Sequence, residues 1–367
     1  MLWSANPTDA ISLWNVTAPA GDDYSRLSDD VETEVAIIGG GFCGCSIALH
    51  LAERGVDCRL LEAEFIGYGG SGRNAGLLNA GLWLPPQDIR AALGEVYGER
   101  LVTLLSDAPA YVGSLVDRFG IECELTRSGT IHAAHAPSGM KELRRRAQAW
   151  QSLGAPVELI NAQRVSALVG SEIFHGGILD HRAGTINPMG YVRGLARAAT
   201  QAGAVLHTKS PVKKLNRVER IWRIETPRGT VRAPKVVLCT NAYSDQLWPG
   251  LARVITPVHY YQVASEPLGE RADAILADRQ GVWDTGKIMY SLRKDAANRL
   301  ILGSMGKLLG PDAAVTRRWA DRQLRRTFPD LGPVKWEVAW HGTMGLTGDH
   351  LPKIRGQRVD LRQVITG

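Results

Sequence analysis

The sequence predicts an α/β fold in which a parallel sheet is interleaved with a second, α+β domain. Two observations carry this prediction. A glycine-rich turn joins an apolar strand to a helix near residue 40, and strands able to complete the same sheet return only after residue 200. A single doubly wound sheet would continue at once with further strand–helix–strand units. The long insertion therefore favours two domains that are woven together.

The most informative segment is an apolar strand that ends in closely spaced glycines. Residues 35–38 are Val-Ala-Ile-Ile, and Gly39, Gly41 and Gly44 follow before an apolar-faced helix. The first glycine allows a sharp turn, the second lets backbone approach a pyrophosphate, and the third lets helix and strand pack closely. A second short strand ends at Glu62, placed to accept from ribose hydroxyls. These features predict a Rossmann-like dinucleotide site on the first helix.

A second glycine-rich loop, residues 69–76, follows Glu62 closely. Its small residues leave bare backbone that can lie against a large planar or charged ligand. Arg73 adds a permanent cation with five donors, which suits a pyrophosphate or the electron-rich edge of a flavin ring. The alternative is a mobile loop tip, but the position just after Glu62 favours a ligand. The loop and the late-returning strands favour a flavin enzyme over a nicotinamide dehydrogenase.

The amino-acid composition argues against several other classes of protein. The 367 residues are 44% hydrophobic and 22% charged, which is typical of a globular protein of about two domains. The net charge is +6, but the two basic clusters, at 141–146 and 317–326, lie in helical patterns. We interpret them as solvent-exposed helix faces, so no nucleic-acid partner is expected. The five cysteines lack zinc spacing, so we expect reduced thiols, no metal site and a cytoplasmic protein. Residues 35–49 are too short and glycine-broken to span a membrane.

The rest of the chain alternates helical and strand patterns. Two helices are predicted across 88–119, a charged helix near 139–152 and an arginine-rich helix ending at Thr327. Asn187 and Pro188 supply an N-cap and a first-turn proline for a further helix that Gly203 closes. Strand patterns lie at 123–125, 129–133, 176–180, 205–207, 212–215, 221–226, 236–239, 256–266, 281–293 and 299–302.

Several motifs occur in a serial order that is more specific than any one of them. They are Val-Ala-Ile-Ile-Gly-Gly-Gly-Phe at 35–42, Leu-Leu-Glu-Ala at 60–63, Gly-Ser-Gly-Arg-Asn-Ala-Gly at 70–76, Ala-Gly-Thr-Ile-Asn-Pro at 183–188, Val-Leu-Cys-Thr-Asn-Ala-Tyr at 237–243, Trp-His-Gly-Thr at 340–343 and Thr-Gly-Asp-His-Leu-Pro at 347–352. With these motifs and Trp14, the chain resembles the D-amino-acid-oxidase-like (DAO) family of FAD-dependent oxidoreductases. Within that family it is similar to amine oxidases of the γ-glutamylputrescine oxidoreductase type.

The resemblance implies FAD as the cofactor and a set of residues that hold it. The FAD diphosphate would be cradled by Gly39, Gly41, Phe42, Cys43 and Gly44, and the adenosine ribose would be held at Glu62 and Ala63. The isoalloxazine and ribityl chain would be bordered by Ser71, Gly72, Arg73, Asn74, Ala75 and Gly76. Val212 would meet the adenine through its backbone, and Thr240 and Asn241 would lie near the pyrophosphate or adenosine.

The resemblance also implies a Rossmann-like FAD-binding domain interleaved with a domain built on a large antiparallel sheet that roofs the flavin. The predicted boundaries are 1–33 for an N-terminal arm, 34–85 with 185–255 and 330–367 for the FAD-binding domain, and 86–184 with 256–329 for the substrate domain. Such an enzyme would oxidise the C–N bond of a small amine or amino acid, of the γ-glutamylputrescine or N-methyl amino acid type. Hydride would pass to flavin N5, water would hydrolyse the imine, and oxygen or another electron acceptor would be reduced.

Candidate residues on the substrate side lie on strands expected to roof the flavin. They are Tyr260, Tyr261, Tyr290 and Arg293, with His341 on a returning segment. Arg293 could pair with a carboxylate and His341 could titrate near neutral pH. The alternatives are half-buried sheet tyrosines, a surface arginine and a structural histidine. Related sarcosine-type oxidases carry a lysine that assists oxygen at a position matched here by Ile301, which argues against efficient oxidase activity.

The end of the sequence motivates a competing hypothesis. The chain stops at Gly367, where the family continues with a glycine-rich turn against the flavin and a last helix facing its pyrimidine edge. The alternative is therefore a C-terminally truncated, catalytically impaired FAD-binding remnant. A nicotinamide-dependent dehydrogenase is a third hypothesis, disfavoured by the interleaved domains and the Arg73 loop.

Overall fold

The computed structural model describes residues 12–245, 247–309, 313–357 and 364–365. The helices are α1 (Leu13–Thr17), α2 (Phe42–Ala52), α3 (Pro86–Phe119), α4 (Gly139–Gln151), α5 (Ala162–Val169), α6 (Pro188–Gln201) and α7 (Ala314–Thr327). The strands are β1 (Val31–Glu32), β2 (Val35–Ile38), β3 (Cys58–Leu61), β4 (Leu77–Leu78), β5 (Thr130–Ala133), β6 (Val157–Asn161), β7 (Gly176–Asp180), β8 (Gly184–Thr185), β9 (Val205–His207), β10 (Lys214–Val218), β11 (Ile221–Glu225), β12 (Thr230–Ala233), β13 (Lys235–Leu238), β14 (Thr256–Ser265), β15 (Gly281–Asp284), β16 (Tyr290–Lys294), β17 (Leu300–Met305), β18 (Trp336–Leu346), β19 (Gly356–Gln357) and β20 (Val364–Ile365).

A four-stranded parallel sheet forms the nucleotide-binding part, in the order β13-β2-β3-β9. The first two strands in sequence, β2 and β3, are joined by α2, whereas β9 and β13 return after residue 200. Each parallel connection needs a long crossover, which α2 and the insertion supply. Strand β2 is fully buried, and its side chains Val35 and Ile37 pack into a core with α2 and α6. The Rossmann-like unit and its late completion, predicted from the sequence, are confirmed.

A smaller sheet covers one face of the parallel sheet. Its order is β1-β12-β11-β10, with β10 to β12 antiparallel and β1 parallel to β12. The N-terminal arm is tied to it because the N–H of Thr33 donates to the carbonyl of Arg232. The sheet packs Ile224, Val231 and Ala233 against Leu61 and Ile38. The face of β2 and β3 that points away from α2 and α6 is therefore covered by an apolar layer of its own.

The second domain is built on an eight-stranded sheet in the order β18-β14-β17-β16-β15-β5-β7-β6. Its pairings are antiparallel except β15–β5, which is parallel, so the sheet is mixed rather than antiparallel as predicted. The reason is that β5 and β15 are separated by long intervening chain, so no tight hairpin dictates their direction. Strand β18 belongs to this sheet, although the predicted boundaries placed 330–367 with the FAD-binding domain. The boundaries themselves stay a prediction.

Most predicted elements are present, and the differences are local. Helix α3 contains Gly94 at a φ of 75°, which divides it in agreement with the two predicted helices. The predicted strand at 281–293 is two strands, β15 and β16, joined by a turn. Residues 123–125 form no strand, and β12, β18 and the pair of β6 with α5 were not predicted. The last pair was missed because β6 is largely exposed and lacks a clean alternation of burial.

Two features are absent from the described residues. None of their helices is long and apolar enough to cross a bilayer. No group of three or more His, Cys, Asp or Glu side chains among them is arranged to hold a metal ion.

Candidate cofactor site

The first glycine turn forms a cradle between β2, β13 and the start of α2. Gly39 has a φ of 110°, and a Cβ there would lie 2.7 Å from the carbonyl oxygen of Cys239. A Cβ on Gly44 would collide with the carbonyl of Gly39. Gly41 is the N-cap of α2, so N–H groups of the first helical turn, which have no acceptor within the helix, face the cradle. Bare backbone and a helix N-terminus together make an anion site.

Glu62 closes this cradle from the end of β3. Its Oε2 accepts from the N–H of Gly40 at 2.6 Å, and its Oε1 accepts from the N–H of Glu64 at 2.9 Å. Burial raises the pKa of Glu62, and the backbone hydrogen bonds act in the opposite direction. The carboxylate is therefore held rigidly beside the glycine turn. It occupies the position that the ribose-binding prediction requires, although its role stays a prediction.

A cavity of about 460 Å³ opens next to Glu62. Ala63 and Glu64 line one side, and Lys209, Ser210 and Pro211, the residues just before Val212, line another. Arg26 and Arg228 make its rim basic. The cavity has room for an adenosine group, and a basic rim suits a diphosphate. The predicted roles of Ala63 and Val212 are compatible with this geometry.

Thr240 and Asn241 follow β13 at the carboxyl edge of the parallel sheet. The backbone N of Thr240 is 3.5 Å from where a Cβ on Gly39 would lie, so Thr240 borders the cradle. The Asn241 side chain accepts from the N–H of Gly345 at 2.9 Å and is committed to that link. Its backbone has a φ of 43°. The structure therefore brings Thr240 to the cradle and uses the Asn241 amide to join β18 to it.

Cys43 lies in the first turn of α2, opposite Cys239. The Cys239 thiol hydrogen-bonds to Cys43 and lowers the pKa of Cys43 to about 7, against the opposing effect of partial burial. The same bond raises the pKa of Cys239. A helix N-terminus favours negative charge, so the thiolate belongs on Cys43. All five cysteines are free thiols.

The second glycine loop touches the N-terminus of α2. Residues 70–72 form a short 3₁₀ turn, and the Ser71 hydroxyl accepts from the N–H of Phe42 at 3.0 Å. A Cβ on Gly41 would lie 2.7 Å from this hydroxyl oxygen. Asn74 stiffens the loop, because its Nδ2 donates to the carbonyls of Gly70 and Ser71 and its Oδ1 accepts from the N–H of Gly76. The two glycine motifs thus form one continuous site.

Three consecutive carbonyls of this loop each receive a donor from a distant segment. Ser12 Oγ donates to Gly72 O at 2.9 Å, Trp340 Nε1 donates to Arg73 O at 2.8 Å, and Trp14 Nε1 donates to Asn74 O at 2.8 Å. Trp14 and Trp340 are fully buried and contact edge to face with centroids 5.8 Å apart. The arm and β18 therefore fix the backbone on which the predicted isoalloxazine contacts depend.

Arg73 is buried and lies between the loop and β18. Its Nε donates to the carbonyl of Tyr68 at 2.7 Å, and its Nη1 donates to the carbonyl of His341 at 3.3 Å. The guanidinium also lies over the Tyr68 ring, 4.8 Å from its centroid. The cation is thereby kept within the loop that contains Ser71. A fixed positive charge at this place can offset negative charge on a bound cofactor.

Tyr260 and Arg293 lie on the sheet face that covers the loop. The Tyr260 hydroxyl donates to Gly70 O at 3.2 Å. Arg293 donates from Nη1 to Gly76 O at 2.9 Å and to Ile186 O at 2.6 Å, and its guanidinium stacks over Trp14. Burial raises the pKa of Tyr260 and lowers that of Arg293 to about 10. Arg293 is 2% exposed, so the structure places it inside the scaffold rather than at the surface.

Tyr290 and His341 lie on the opposite face. The Tyr290 hydroxyl is 3.4 Å from Thr327 Oγ1 at the end of α7, and its ring contacts Trp319. His341 pairs in register with Tyr261, which also contacts Trp319. Side chains alternate along a strand, so His341 points away from the face of Trp340. The strand register turns the Tyr290 side chain to α7 and the His341 side chain to the same face of the sheet, so neither side chain meets the loop. Only the backbone carbonyl of His341 reaches the loop, where it accepts from Arg73.

The loop-facing side of the sheet contains residues that the sequence did not single out. Gln262 is 3% exposed, and its Oε1 has no partner among the described residues. It lies over Gly303, where a Cβ would collide with it. Ile301, discussed above, pairs with Arg293 and belongs to the same core cluster as Trp14 and Trp340, so it lies on the loop-facing side. Its match to the oxygen-assisting lysine stays a prediction. A lone Gln in a strand has no sequence pattern that marks it.

These features match what an FAD molecule needs. The glycine cradle and the α2 N-terminus suit a diphosphate, and the cavity beside Glu62 suits adenosine. The rigid loop with Ser71 and Arg73, roofed by the large sheet, suits a planar ring. Because the two domains are interleaved, the diphosphate and adenosine subsites lie on the parallel-sheet part, and the large sheet covers the ring subsite.

Comparison with known proteins gives the same result. The FAD dependent oxidoreductase (DAO) family matches residues 34–365. The chain is 28% identical to the probable oxidoreductase OrdL of Rhizobium meliloti over 97% of this chain and 83% of that protein. It is 29% identical to γ-glutamylputrescine oxidoreductase of Escherichia coli over 90% and 78% of the two chains.

Among solved structures, glycine oxidase from Geobacillus kaustophilus superposes with a TM-score of 0.72 at 22% identity, over 90% of this chain and 87% of that one. The likeness confirms the predicted α/β fold. The chain therefore belongs to the DAO family of FAD dependent oxidoreductases, with FAD as its cofactor and C–N bonds of amines or amino acids as the site of oxidation.

Proposed function

We propose that this protein oxidises the C–N bond of a small primary or secondary amine, of the γ-glutamylputrescine or N-methyl amino acid type. The observation that carries the proposal is the contact between Ser71 and the α2 N-terminus, which joins a diphosphate cradle to a rigid loop under the large sheet. The relative named γ-glutamylputrescine oxidoreductase supports the first substrate type. FAD, when bound, supplies the hydride acceptor at its N5 atom.

The residues of this chain orient the partners and shape the electrostatics. Ser12, Trp14 and Trp340 hold the loop carbonyls, so the amides and side chains of residues 71–76 are preorganised. Arg73 contributes a fixed positive charge. The sheet face with Tyr260, Gln262 and Arg293 excludes water above the loop. The substrate imine is then released to hydrolysis, and oxygen or another electron acceptor completes turnover.

The visible spectrum of the purified protein tests the proposal. A yellow protein whose flavin absorbance bleaches on anaerobic addition of γ-glutamylputrescine or an N-methyl amino acid is the expected result. A yellow protein inert to a wide panel of amines would instead favour the impaired FAD-binding remnant. A colourless protein that does not bind added FAD would contradict both hypotheses. The predicted cytoplasmic location is a separate proposal, which cell fractionation tests.

A further inference from the structure

A second cavity, of about 310 Å³, begins where the second glycine loop ends. The chain leaves Gly76 into β4, and Leu77, Asn79 and Trp83 line the cavity. Its floor is the large sheet. Trp283 of β15 pairs with His132 of β5 and with Ser291 of β16, two residues before Arg293. Side chains two residues apart share a face. The cavity therefore lies on the same face of the sheet as the cofactor loop.

His132 is the first sign that this cavity is built for a ligand. It lines the cavity and is only 5% exposed, yet neither ring nitrogen has a partner among the described residues. Burial, helped by the charge of Arg146, holds the pKa of His132 well below its ordinary value. A neutral imidazole has one donor and one acceptor. Leaving both unmet in a buried position is costly, and a polar ligand would remove that cost.

Arg146 of α4 is the second sign. It is 7% exposed, lines the cavity and makes no ion pair within the described part of the chain. Its Nη atoms donate to the carbonyls of Leu82 and Trp83, and its Nε has no partner. Glu142 and Asp88 act on its charge only through space. A buried cation without a counterion is costly unless a ligand anion supplies one.

The remaining charge in the cavity is already balanced. Asp180 is held by Arg182 through bonds of 2.9 and 2.6 Å. Three indoles line the cavity. Trp283 stacks on His132 with ring centroids 3.5 Å apart, the Trp83 ring centroid lies 5.6 Å from that of Trp283, and Trp150 is the third. The lining thus combines one uncompensated positive charge with flat apolar surfaces. This combination selects an anion at the end of a short hydrocarbon or planar stem.

We propose that this cavity binds a carboxylate at the far end of the substrate, with Arg146 and His132 as its recognition groups. The inference rests on the proposed function, since it assigns the non-reacting end of the same amine. The amine end would lie toward the loop at Gly76 and the carboxylate end toward α4. The enzyme would then prefer amines that carry a remote carboxylate over neutral amines of equal length.

Binding to the FAD-loaded protein tests the assignment without turnover. Glutarate and its neutral diamide, glutaramide, are titrated separately, with the fluorescence of the cavity tryptophans and calorimetry as readouts. We expect glutarate to bind at least about 10-fold more tightly than glutaramide, the size of a charge-assisted hydrogen bond. Arg146→Met should remove the preference, and Arg146→Lys should restore part of it. Arg144→Met, an exposed position on the same helix, is the matched control and should change nothing.

His132→Phe is a second probe that keeps the ring stack on Trp283 and removes both nitrogens. It should weaken glutarate binding by about 3- to 10-fold and leave glutaramide unchanged. The His132→Phe variant also tests the cavity assignment if Arg146→Met fails to fold. In turnover, Arg146→Met should raise KM for a carboxylate-bearing amine about 10- to 100-fold, with KM for the matching amide unchanged.

The outcomes separate the two proposals. Equal binding of glutarate and glutaramide, or equal losses for both in Arg146→Met, would overturn the cavity assignment even if amines reduce the flavin. Arg146-dependent glutarate binding by a protein that no amine reduces would support the cavity and contradict the proposed function.

Discussion

At the residue scale, the glycines of the first turn are needed for space rather than for flexibility alone. A methyl group on Gly44 would meet the carbonyl of Gly39 and lie 3.4 Å from Leu60, so α2 would have to move away from β3. We expect Gly44→Ala to lower the free energy of unfolding by ~1–3 kcal/mol, typical of overpacking, and to weaken FAD binding. Gly348→Ala, with open space around its Cβ position, is the control. Urea unfolding and FAD titration measure both effects; equal behaviour of the two variants would contradict the packing argument.

The Cys43–Cys239 pair predicts a pH dependence at the same scale. The pKa of Cys43 is about 7, so its thiolate, the reactive form, accumulates above that pH. Alkylation of the FAD-free protein by iodoacetamide, followed by mass spectrometry of the Cys43 peptide, should therefore accelerate with a midpoint near that value.

Two variations make this test specific. Cys239→Ala removes the hydrogen bond and should shift the midpoint upward, toward the ordinary thiol value of about 8.5. FAD should protect Cys43, because the predicted diphosphate position covers it. A midpoint unchanged by Cys239→Ala would show that the pair is not coupled, and alkylation unaffected by FAD would place the cofactor elsewhere.

At the element scale, the short helix α1 holds the backbone of the cofactor loop in place. Trp14 contributes one hydrogen bond to Asn74 O, a stacking surface for Arg293 and an edge contact with Trp340. Trp14→Phe keeps most of the ring but leaves a carbonyl without its donor. We expect a loss of ~1–3 kcal/mol in unfolding free energy and weaker FAD binding. Trp248→Phe, whose ring packs on Trp222 away from the loop, is the matched control. Unchanged FAD affinity in Trp14→Phe would mean that the loop holds its shape without the arm.

At the scale of the whole molecule, the two halves of FAD should contribute unequally to folding stability. The cradle and the cavity beside Glu62 belong to the parallel-sheet part, whereas the flavin half needs the loop and the large sheet together. FAD at a free concentration of 100 times its Kd should raise the free energy of unfolding by ~2.7 kcal/mol. ADP alone should give a measurable share of that shift in thermal unfolding, and riboflavin much less. Stabilisation by riboflavin but not by ADP would reverse the assignment of subsites.

The sequence was sufficient to place the candidate site residues that are local in the chain. Gly39, Gly41, Gly44 and Glu62 lie within one strand–helix–strand unit, and each is where that unit requires it. The positions of the substrate-side residues were harder to predict, because a strand pattern does not show which of its two faces points to the cofactor loop. Tyr260 and Tyr290 look alike in sequence, yet one contacts the cofactor loop and the other contacts α7.

By itself, the sequence determined the dinucleotide unit, its completion by late strands and the family, since these depend on short-range spacing and on motif order. The tertiary structure alone decided the faces of the large sheet, the parallel β5–β15 pairing and the cavity that unites His132, Arg146 and three tryptophans. The physical reason is that register between distant strands sets which side chains meet. No local pattern in the chain encodes that register, because the partners come from segments more than a hundred residues apart.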